Sequence, residues 1–195
     1  GPEDPLAEGY ADEFWKADIP CIGPKKDAAQ LEASKDLAKT FMKKYNVACP
    51  ASETFTSKDA ACEYIKKHGA PIVIKADGLA AGKGVVIPET LQEAEETLKD
   101  MLLDDKFGKG RVVVEEFLTG PEFSFMCFVD GKDVYPMTLS QDHKRAYEGD
   151  KGPNTGGMGA YSPVPIITDE DLEFSLEHVM KPTAAAMVAE GCPFT

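Results

Sequence analysis

A glycine-rich segment between two short apolar runs constrains the fold of this chain more than any other feature. Residues 71–76 read PIVIKA, residues 85–87 read VVI, and the segment between them, DGLAAGKG, carries three glycines. Apolar runs of this length, bounded by glycines, predict two strands joined into a hairpin with the glycines at its tip. Backbone amides at such a tip can approach phosphate oxygens closely, and Lys75 and Lys83 add positive charge. The segment therefore predicts a flap over a phosphate group.

Two familiar phosphate motifs do not fit this segment. A P-loop needs four residues between its glycines and a Ser or Thr after the lysine, whereas three residues separate Gly78 from Gly82, and Gly84 follows Lys83. The run at 72–75 imitates the lysine strand of protein kinases, but no HRD or DFG sequence follows it. A flexible hairpin with solvated lysines is the alternative that the pattern by itself leaves open.

Capping residues and hydrophobic periodicity predict the remaining elements. Helices are expected after Ser34, after the Thr56 and Asp59 pair, after the Thr90 and Glu93 pair, and after the Thr168 and Asp171 pair, with a stop or kink at Pro182. Strands are expected at residues 19–22, 111–117, 122–129 and 134–139, the last two joined by a turn at Asp130 and Gly131. Paired strands between helices indicate an α+β fold.

The run VVVEEFL at residues 112–118, followed by Gly120, Pro121 and Glu122, is a second candidate site. An apolar strand that ends in carboxylates can offer backbone groups to an adenine edge and a carboxylate to ribose hydroxyls. The alternative is a strand followed by a solvated acidic turn, which is a common arrangement.

Two later segments are candidates for binding a second ligand. Residues 141–145, QDHKR, place three consecutive cation-capable side chains in a chain whose net charge is -13. Such a cluster can hold a phosphate or a carboxylate, although a solvated charge run is the usual alternative. Residues 152–161, GPNTGGMGAY, contain four glycines, which predicts unusual backbone angles or a close backbone approach to a ligand.

Charge and composition exclude several classes of function. Lys and Arg total 21 against 34 Asp and Glu, so a binder of nucleic acid or of an anionic membrane is not expected. No run of about 18 apolar residues is present to span a bilayer. The five cysteines are scattered without a C-x-x-C pair, which predicts no disulfide framework and a reducing, cytoplasmic location. No Ser-His-Asp set and no metal-ligand spacing is visible, so no nucleophile and no metal ligand is predicted.

Five stretches in order carry a resemblance to a known family. They are GPEDPL at 1–6, KADGLAAGKGV at 75–85, VVVEEFLTGPEFS at 112–124, SQDHKR at 140–145 and GPNTGGMGAYSP at 152–163. Together they resemble the phosphoribosylamine–glycine ligases of the ATP-grasp superfamily, and the last three are specific to that family. The resemblance implies ATP-dependent joining of glycine to 5-phosphoribosylamine through glycyl phosphate, a step of purine synthesis, with ATP and Mg²⁺ as cofactors.

The resemblance also implies how the chain is divided. Residues 34–195 resemble an incomplete ATP-grasp fold, with the ATP lid at about 48–118 and the first part of the large subdomain at 119–195. Residues 1–33 resemble the remnant of a Rossmann-like N-terminal domain. The chain begins without Met and without a signal peptide, and the family's Mg²⁺ ligands are expected beyond residue 195. The piece alone is therefore expected to be inactive and to need the rest of its own polypeptide.

Residue roles follow from the resemblance alone. ATP-binding roles are implied for Lys35, Lys75, Gly82, Lys83, Gly84, Glu115, Glu116, Phe117, Leu118 and Glu122. Contacts with glycine and 5-phosphoribosylamine are implied for Glu3, Asp142, His143, Lys144, Arg145, Asn154, Thr155, Gly156 and Gly157. The catalytic set is Lys75, Lys144 and Arg145. The competing hypotheses are a nucleotide-binding module without ligase activity and an ATP-grasp ligase with another acceptor.

Overall fold

A computed structural model describes residues 3–78, 84–104, 110–149, 151–155 and 157–194, which fall into two compact units. The first unit comprises Gly1–Lys44 and Ala48–Thr119, and the second comprises Tyr45–Val47 and Gly120–Thr195. Both units contain helices and strands, so the predicted α+β class is confirmed. No helix in the described ranges is long and apolar enough to span a membrane.

Four helices open the first unit. They are α1 (Glu3–Glu8), α2 (Tyr10–Lys16), α3 (Lys26–Ala33) and α4 (Lys35–Lys44). Gly9 separates α1 from α2 in the left-handed conformation, with a φ of 96° that favours glycine. The strand expected at 19–22 is wrong: these residues have no regular structure, and Ile22 is 94% exposed. A short apolar run cannot hold a strand without a neighbouring strand to bond with.

A four-stranded sheet forms the centre of the first unit. Its strands are β1 (Ser52–Phe55), β2 (Ile72–Ala76), β3 (Val85–Val86) and β4 (Val112–Glu116), in the order β1-β4-β2-β3 with every pair antiparallel. The expected hairpin is confirmed, since Ile74 pairs with Val86 and Lys75 with Val85. Most of its glycine tip, residues 79–83, lies outside the described ranges.

Two helices cover one face of this sheet. They are α5 (Lys58–His68) and α6 (Leu91–Leu102). Their apolar sides pack with Ile72, Ile74, Val112 and Val114 into one buried cluster, in which Leu98 of α6 is fully buried. Because side chains alternate along a strand, Lys75 and Glu115 project from the opposite face of the sheet. This alternation places charged groups on one side and the core on the other.

The helix caps agree with the sequence except at one position. Thr90 Oγ1 accepts a hydrogen bond from Glu93 N at 3.2 Å, as its capping pattern predicts. The cap of α5 is Ser57 rather than Thr56, because Ser57 Oγ accepts from Ala60 N. A hydroxyl caps the helix at either residue, so the sequence pattern does not distinguish the two.

The second unit consists of short strand pairs and one long helical segment. The strands are β5 (Cys127–Asp130), β6 (Asp133–Pro136), β7 (Gln141–Asp142), β8 (Arg145–Tyr147), β9 (Lys151–Asn154) and β10 (Ala160–Tyr161). The β5–β6 hairpin confirms the turn at Asp130 and Gly131. The strand expected at 122–129 is shorter than predicted, since only a bridge between Ser124 and Ser140 precedes β5.

The predicted last helix is present, and it continues beyond Pro182. It runs as α7 (Asp169–Ser175), a π-helical turn (Leu176–Met180) and α8 (Lys181–Ala189). Of the expected stop or kink at Pro182, the stop is wrong, because the proline lies in the first turn of α8, just after the π-helical turn. A missing amide is tolerated at such a position, and a π-helical turn changes the hydrogen-bond partners there.

Candidate functional site

A buried carboxylate between two lysines marks the charged face of the first unit's sheet. Glu115 on β4 is only 3% exposed. Lys75 Nζ lies 2.9 Å from Glu115 Oε2, and Lys39 Nζ of α4 lies 3.3 Å from Glu115 Oε1. A buried carboxylate needs such partners, because its desolvation is otherwise expensive. Lys75 was predicted from the sequence; Lys39 was missed, although it follows Lys35 by one helical turn.

A second network holds the base of the glycine-rich segment. Asp77 is 9% exposed, and its carboxylate accepts hydrogen bonds from Ser34 Oγ at 3.2 Å and from the backbone amide of Asp36 at 3.3 Å. Lys35 Nζ donates to the carbonyl oxygen of Gly78 at 2.6 Å. The N-terminus of α4 and the start of the glycine segment are therefore joined side by side.

Arg111 completes this network from the start of β4. Its Nη1 lies 2.6 Å from Asp36 Oδ2 and 3.6 Å from Asp77 Oδ2. The backbone amide of Asp77 donates to the carbonyl oxygen of Arg111 at 3.1 Å. Nothing in the sequence pattern points to Arg111, because its partners lie far away along the chain.

The predicted adenine-binding segment follows β4. The Glu116 carboxylate accepts a hydrogen bond from Ala51 N at 2.8 Å, which ties it to the neighbouring β1 side of the sheet. Phe117 and Leu118 are 39% and 60% exposed, and their backbone groups make no hydrogen bond to another described residue. The Glu115 carboxylate is occupied by its two lysines. The backbone of Phe117 and Leu118 is thus open to a flat heterocyclic edge, whereas the carboxylates of Glu115 and Glu116 already have partners.

The predicted flap is described at one residue only. Gly84 is buried, and its carbonyl oxygen accepts a hydrogen bond from Ala76 N at 2.8 Å. Gly82 and Lys83 lie outside the described residues.

In the second unit, Lys144 brings together carboxylates from two predicted groups. Its ammonium forms an ion pair with the Glu122 carboxylate and lies 3.8 Å from Asp142 Oδ1. Glu122 was predicted for the nucleotide and Asp142 for the acceptor. The structure places both beside one cation.

Backbone hydrogen bonds join residues 141–145 to the second glycine-rich segment. Thr155 donates to the carbonyl oxygen of Lys144 through its amide at 2.7 Å and its hydroxyl at 2.9 Å. His143 N donates to Gly159 O at 2.9 Å, and its ring stacks on Tyr161 with centroids 5.4 Å apart. The two segments thus form one surface.

The other residues predicted for this surface lie at its edges. Arg145 Nη1 donates to Gly152 O at 2.9 Å, and Asn154 pairs with Arg145 in the ladder of β8 and β9. Gly157 N donates to Thr155 Oγ1 at 3.3 Å. Gly156 lies outside the described part of the chain.

Glu3 differs from the other residues implied as acceptor contacts, because it belongs to the first unit. It is the exposed first residue of α1. The polar turn-forming residues around it are equally compatible with a helix N-terminus, where acidic side chains are favoured. Across the residues that the structure describes, no three His, Cys, Asp or Glu side chains converge in a way that could hold a metal ion.

Family models divide the chain into two regions. Residues 33–195 match the model for the phosphoribosylglycinamide synthetase ATP-grasp (A) domain, and residues 1–32 match the N domain of the same synthetase. Phosphoribosylamine–glycine ligase of Listeria monocytogenes is 56% identical over 193 residues, which is 98% of this chain and 46% of that protein. The ligase of Neisseria meningitidis is 55% identical over 197 residues and covers all of this chain. The chain spans about half the length of these curated relatives.

Solved structures show the same fold. Phosphoribosylamine–glycine ligase of Thermotoga maritima matches with a TM-score of 0.83 and 38% identity over 94% of this chain and 47% of that chain. Biotin carboxylase of Campylobacter jejuni matches with a TM-score of 0.70 at 20% identity over 98% of this chain and 41% of that chain, which speaks for the fold alone. The prediction of a partial ATP-grasp fold is confirmed.

Proposed function

Since this chain belongs to the phosphoribosylglycinamide synthetase family, we propose that it forms part of an enzyme that joins glycine to 5-phosphoribosylamine with ATP. It supplies the nucleotide lysines and part of the acceptor site. The division proposed is an N-terminal remnant at 1–33, an ATP lid at about 48–118 and the start of the large subdomain at 119–195. The proposed location is the cytoplasm.

The observation that carries this proposal is the pair of lysines at the base of the glycine hairpin. Lys35 Nζ lies 2.6 Å from Gly78 O, and Lys75 lies on β2 just before the glycine-rich segment. The two come from different elements of one unit, and buried acidic groups hold both regions in place. Lysines and a glycine-rich backbone are the usual ligands of nucleotide phosphates.

The proposed roles in the first unit concern ATP. Lys35 and Lys75 bind the phosphates, and the flap residues Gly82, Lys83 and Gly84 cover them. The backbone of Phe117 and Leu118 binds the adenine edge, next to Glu115 and Glu116, while Glu122 of the second unit binds the ribose.

The reaction requires alignment and charge neutralisation rather than a protein nucleophile. The glycine carboxylate takes the γ-phosphoryl group of ATP, and ADP leaves. The amine of 5-phosphoribosylamine then attacks the acyl carbon, loses a proton and displaces phosphate. Lys75, Lys144 and Arg145 neutralise charge as it moves. Asp142, His143, Asn154, Thr155, Gly156 and Gly157, with Glu3, orient the two acceptor substrates.

Magnesium belongs to the proposal, but the described residues do not fit it. Mg²⁺ on a nucleotide is held by one or two carboxylates beside the phosphate oxygens. The described carboxylates nearest to Lys75 already have protein partners: Glu115 is bound by Lys39 and Lys75, and Asp77 is bound by Ser34 and Arg111. We place the Mg²⁺ ligands outside residues 1–195. A piece without them leaves the nucleotide phosphates without their main counter-charge, and we expect it not to turn over.

The test is ADP release with ATP, Mg²⁺, glycine and freshly made 5-phosphoribosylamine. It compares this chain with any longer natural polypeptide that includes it. We expect release only from the longer polypeptide, and only with both acceptor substrates present. ADP release by the 195-residue chain at the rate of a ligase would overturn the proposal that this chain lacks residues needed for turnover. No release from either would instead favour another acceptor or a pure binding role.

Nucleotide binding by the chain itself is a separate test. Replacing Lys75 by Met removes a charged hydrogen-bond donor, which is worth about tenfold or more in affinity. We expect ADP binding, measured by calorimetry, to weaken by that factor. Lys67→Met removes an exposed lysine of α5 and serves as the control.

A further inference from the structure

We propose that Lys39 is a positioning residue of the nucleotide-phosphate site and that it sets the charge of that site through Glu115. The proposal rests on the proposed function, because it takes Lys75 as a phosphate ligand. Lys39 does not touch the phosphates in this scheme. Its effect is to leave Lys75 with an uncompensated positive charge.

The geometry gives each oxygen of the Glu115 carboxylate its own ammonium. Oε2 faces Lys75 Nζ at 2.9 Å, and Oε1 faces Lys39 Nζ at 3.3 Å. Lys39 Nζ also lies 3.5 Å from Pro50 O, which fixes it from a second side. The carboxylate is thus held from both sides, and neither lysine occupies it alone.

Exposure separates the tasks of the two lysines. The side chain of Lys39 is 12% exposed and that of Lys75 is 28% exposed, while that of Glu115 is 4% exposed. Lys75 is the member of the cluster that a solvent-borne anion can reach. Lys39 lies deeper, where its charge acts on Glu115 through poorly screened surroundings.

Charge arithmetic shows why the second lysine matters. The formal charges of Lys39, Lys75 and Glu115 sum to +1. Without Lys39, Lys75 and Glu115 form a neutral pair that has little attraction for a phosphate. The carboxylate then also competes with the phosphate for the Lys75 ammonium.

The test is a set of charge-matched variants in this chain, with ADP and ATP binding measured by calorimetry. Lys39→Met brings the net charge of the cluster to zero. We expect nucleotide affinity to fall by about three- to tenfold, which is the effect of one charge a few ångströms away in a protein medium. Glu115→Gln in the same protein restores the cluster to +1. We expect the double variant K39M/E115Q to recover to within about twofold of wild type.

Two further measurements separate a charge effect from a packing effect. Lys39→Arg keeps the charge and should bind like wild type. The deficit of Lys39→Met should narrow in high salt, because salt screens the attraction between the partly exposed Lys75 and the solvent-borne phosphate. Lys43→Met is the control on the same helix, because Lys43 is half exposed and pairs with Glu53 rather than Glu115. Circular dichroism confirms that each variant is folded.

Each outcome bears on one proposal or the other. A double variant that binds as weakly as Lys39→Met, or more weakly, overturns the inference, because a merely structural lysine is not rescued by removing its partner. If Lys75→Met weakens binding and Lys39→Met does not, the inference alone fails. If wild type binds no nucleotide, or Lys75→Met binds like wild type, the proposed nucleotide site itself fails, and the inference with it.

Discussion

At the scale of single residues, Asp77 joins three separate segments of the first unit. It accepts from Ser34 and Asp36 at the start of α4, and it lies 3.6 Å from Arg111 at the start of β4. Its own backbone leads directly into the glycine-rich segment. A carboxylate can do this because it offers several acceptor sites within a small volume.

Replacing Asp77 by Asn is expected to lower the free energy of unfolding by about 1–2 kcal/mol, since a buried acceptor with a charged neighbour is lost. The amide still accepts from Ser34 but presents a donor or a neutral oxygen to Arg111. Urea unfolding followed by circular dichroism measures the change. Glu63→Gln makes the same chemical change at an exposed position of α5, and equal effects of the two variants would contradict the proposed role of Asp77.

At the scale of elements, α6 depends on its N-cap. Replacing Thr90 by Ala removes the acceptor for Glu93 N and is expected to destabilise the first unit by about 1 kcal/mol. Thermal unfolding measures the loss. Thr97→Ala in the same helix is the control, because the Thr97 hydroxyl only bonds back to Glu93 O. We expect that variant to be neutral or slightly stabilised, since alanine favours helix.

The capping box of α7 makes a prediction about pH. The hydrogen bond from the Thr168 side chain, together with that from its backbone amide, holds the pKa of the Asp171 carboxyl below its ordinary value. A lowered folded pKa means that this contribution is fully present above the unfolded pKa of about 3.9 and is lost as pH falls through the folded pKa. The stability advantage of wild type over Thr168→Ala should therefore shrink in acid below about pH 4.

The titration of Asp171 can be followed directly by NMR. Its carboxyl signal should titrate at a lower pH in wild type than in Thr168→Ala. An unchanged midpoint would show that the capping box does not hold the charge.

At the scale of the whole molecule, the two units differ in how much apolar surface they bury. The first unit contains a continuous cluster that includes Ile74, Leu98, Val112 and Val114, each essentially inaccessible to solvent. Among the described hydrophobic residues of the second unit, those that are buried are Val47, Val164, Ala184, Ala186 and Met187. Because stability follows buried apolar area, the first unit is expected to resist local opening more strongly.

Hydrogen exchange tests this difference within one sample. Amides of β2 and β4 should exchange most slowly, and those of β5 and β6 should exchange much faster, because local opening is easiest where few apolar contacts must break. Mass spectrometry of exchanged peptides resolves the two regions. Equal protection of β4 and β5 would contradict the assignment of stability to the first unit's core.

Much of the element order could be predicted, because it depends on short-range chemistry. The hairpin of β2 and β3, the caps at Thr90 and Thr168 and the turn at Asp130 all follow from residue types a few positions apart. Helix α3 and strand β1 were not predicted, because neither carries a local sequence signal. Helix α3 has no side-chain cap, and β1 is a short segment whose strand character comes from pairing with β4.

The sequence by itself determined which residue types flank the glycine segments and, through the order of its motifs, the family to which the chain belongs. Lys75 could be singled out because a lysine beside a glycine-rich turn has a recognisable use, whereas the role of Lys35 followed only from the resemblance to the family. Only the tertiary structure decided that Lys39 shares Glu115 with Lys75, that Arg111 meets Asp36, and that Lys144 meets Glu122. The residues of such pairs are far apart along the chain: Lys144 and Glu122 are separated by 22 positions, and Lys39 and Glu115 by 76. Strand register and helix packing bring them together, and neither is encoded in a local pattern.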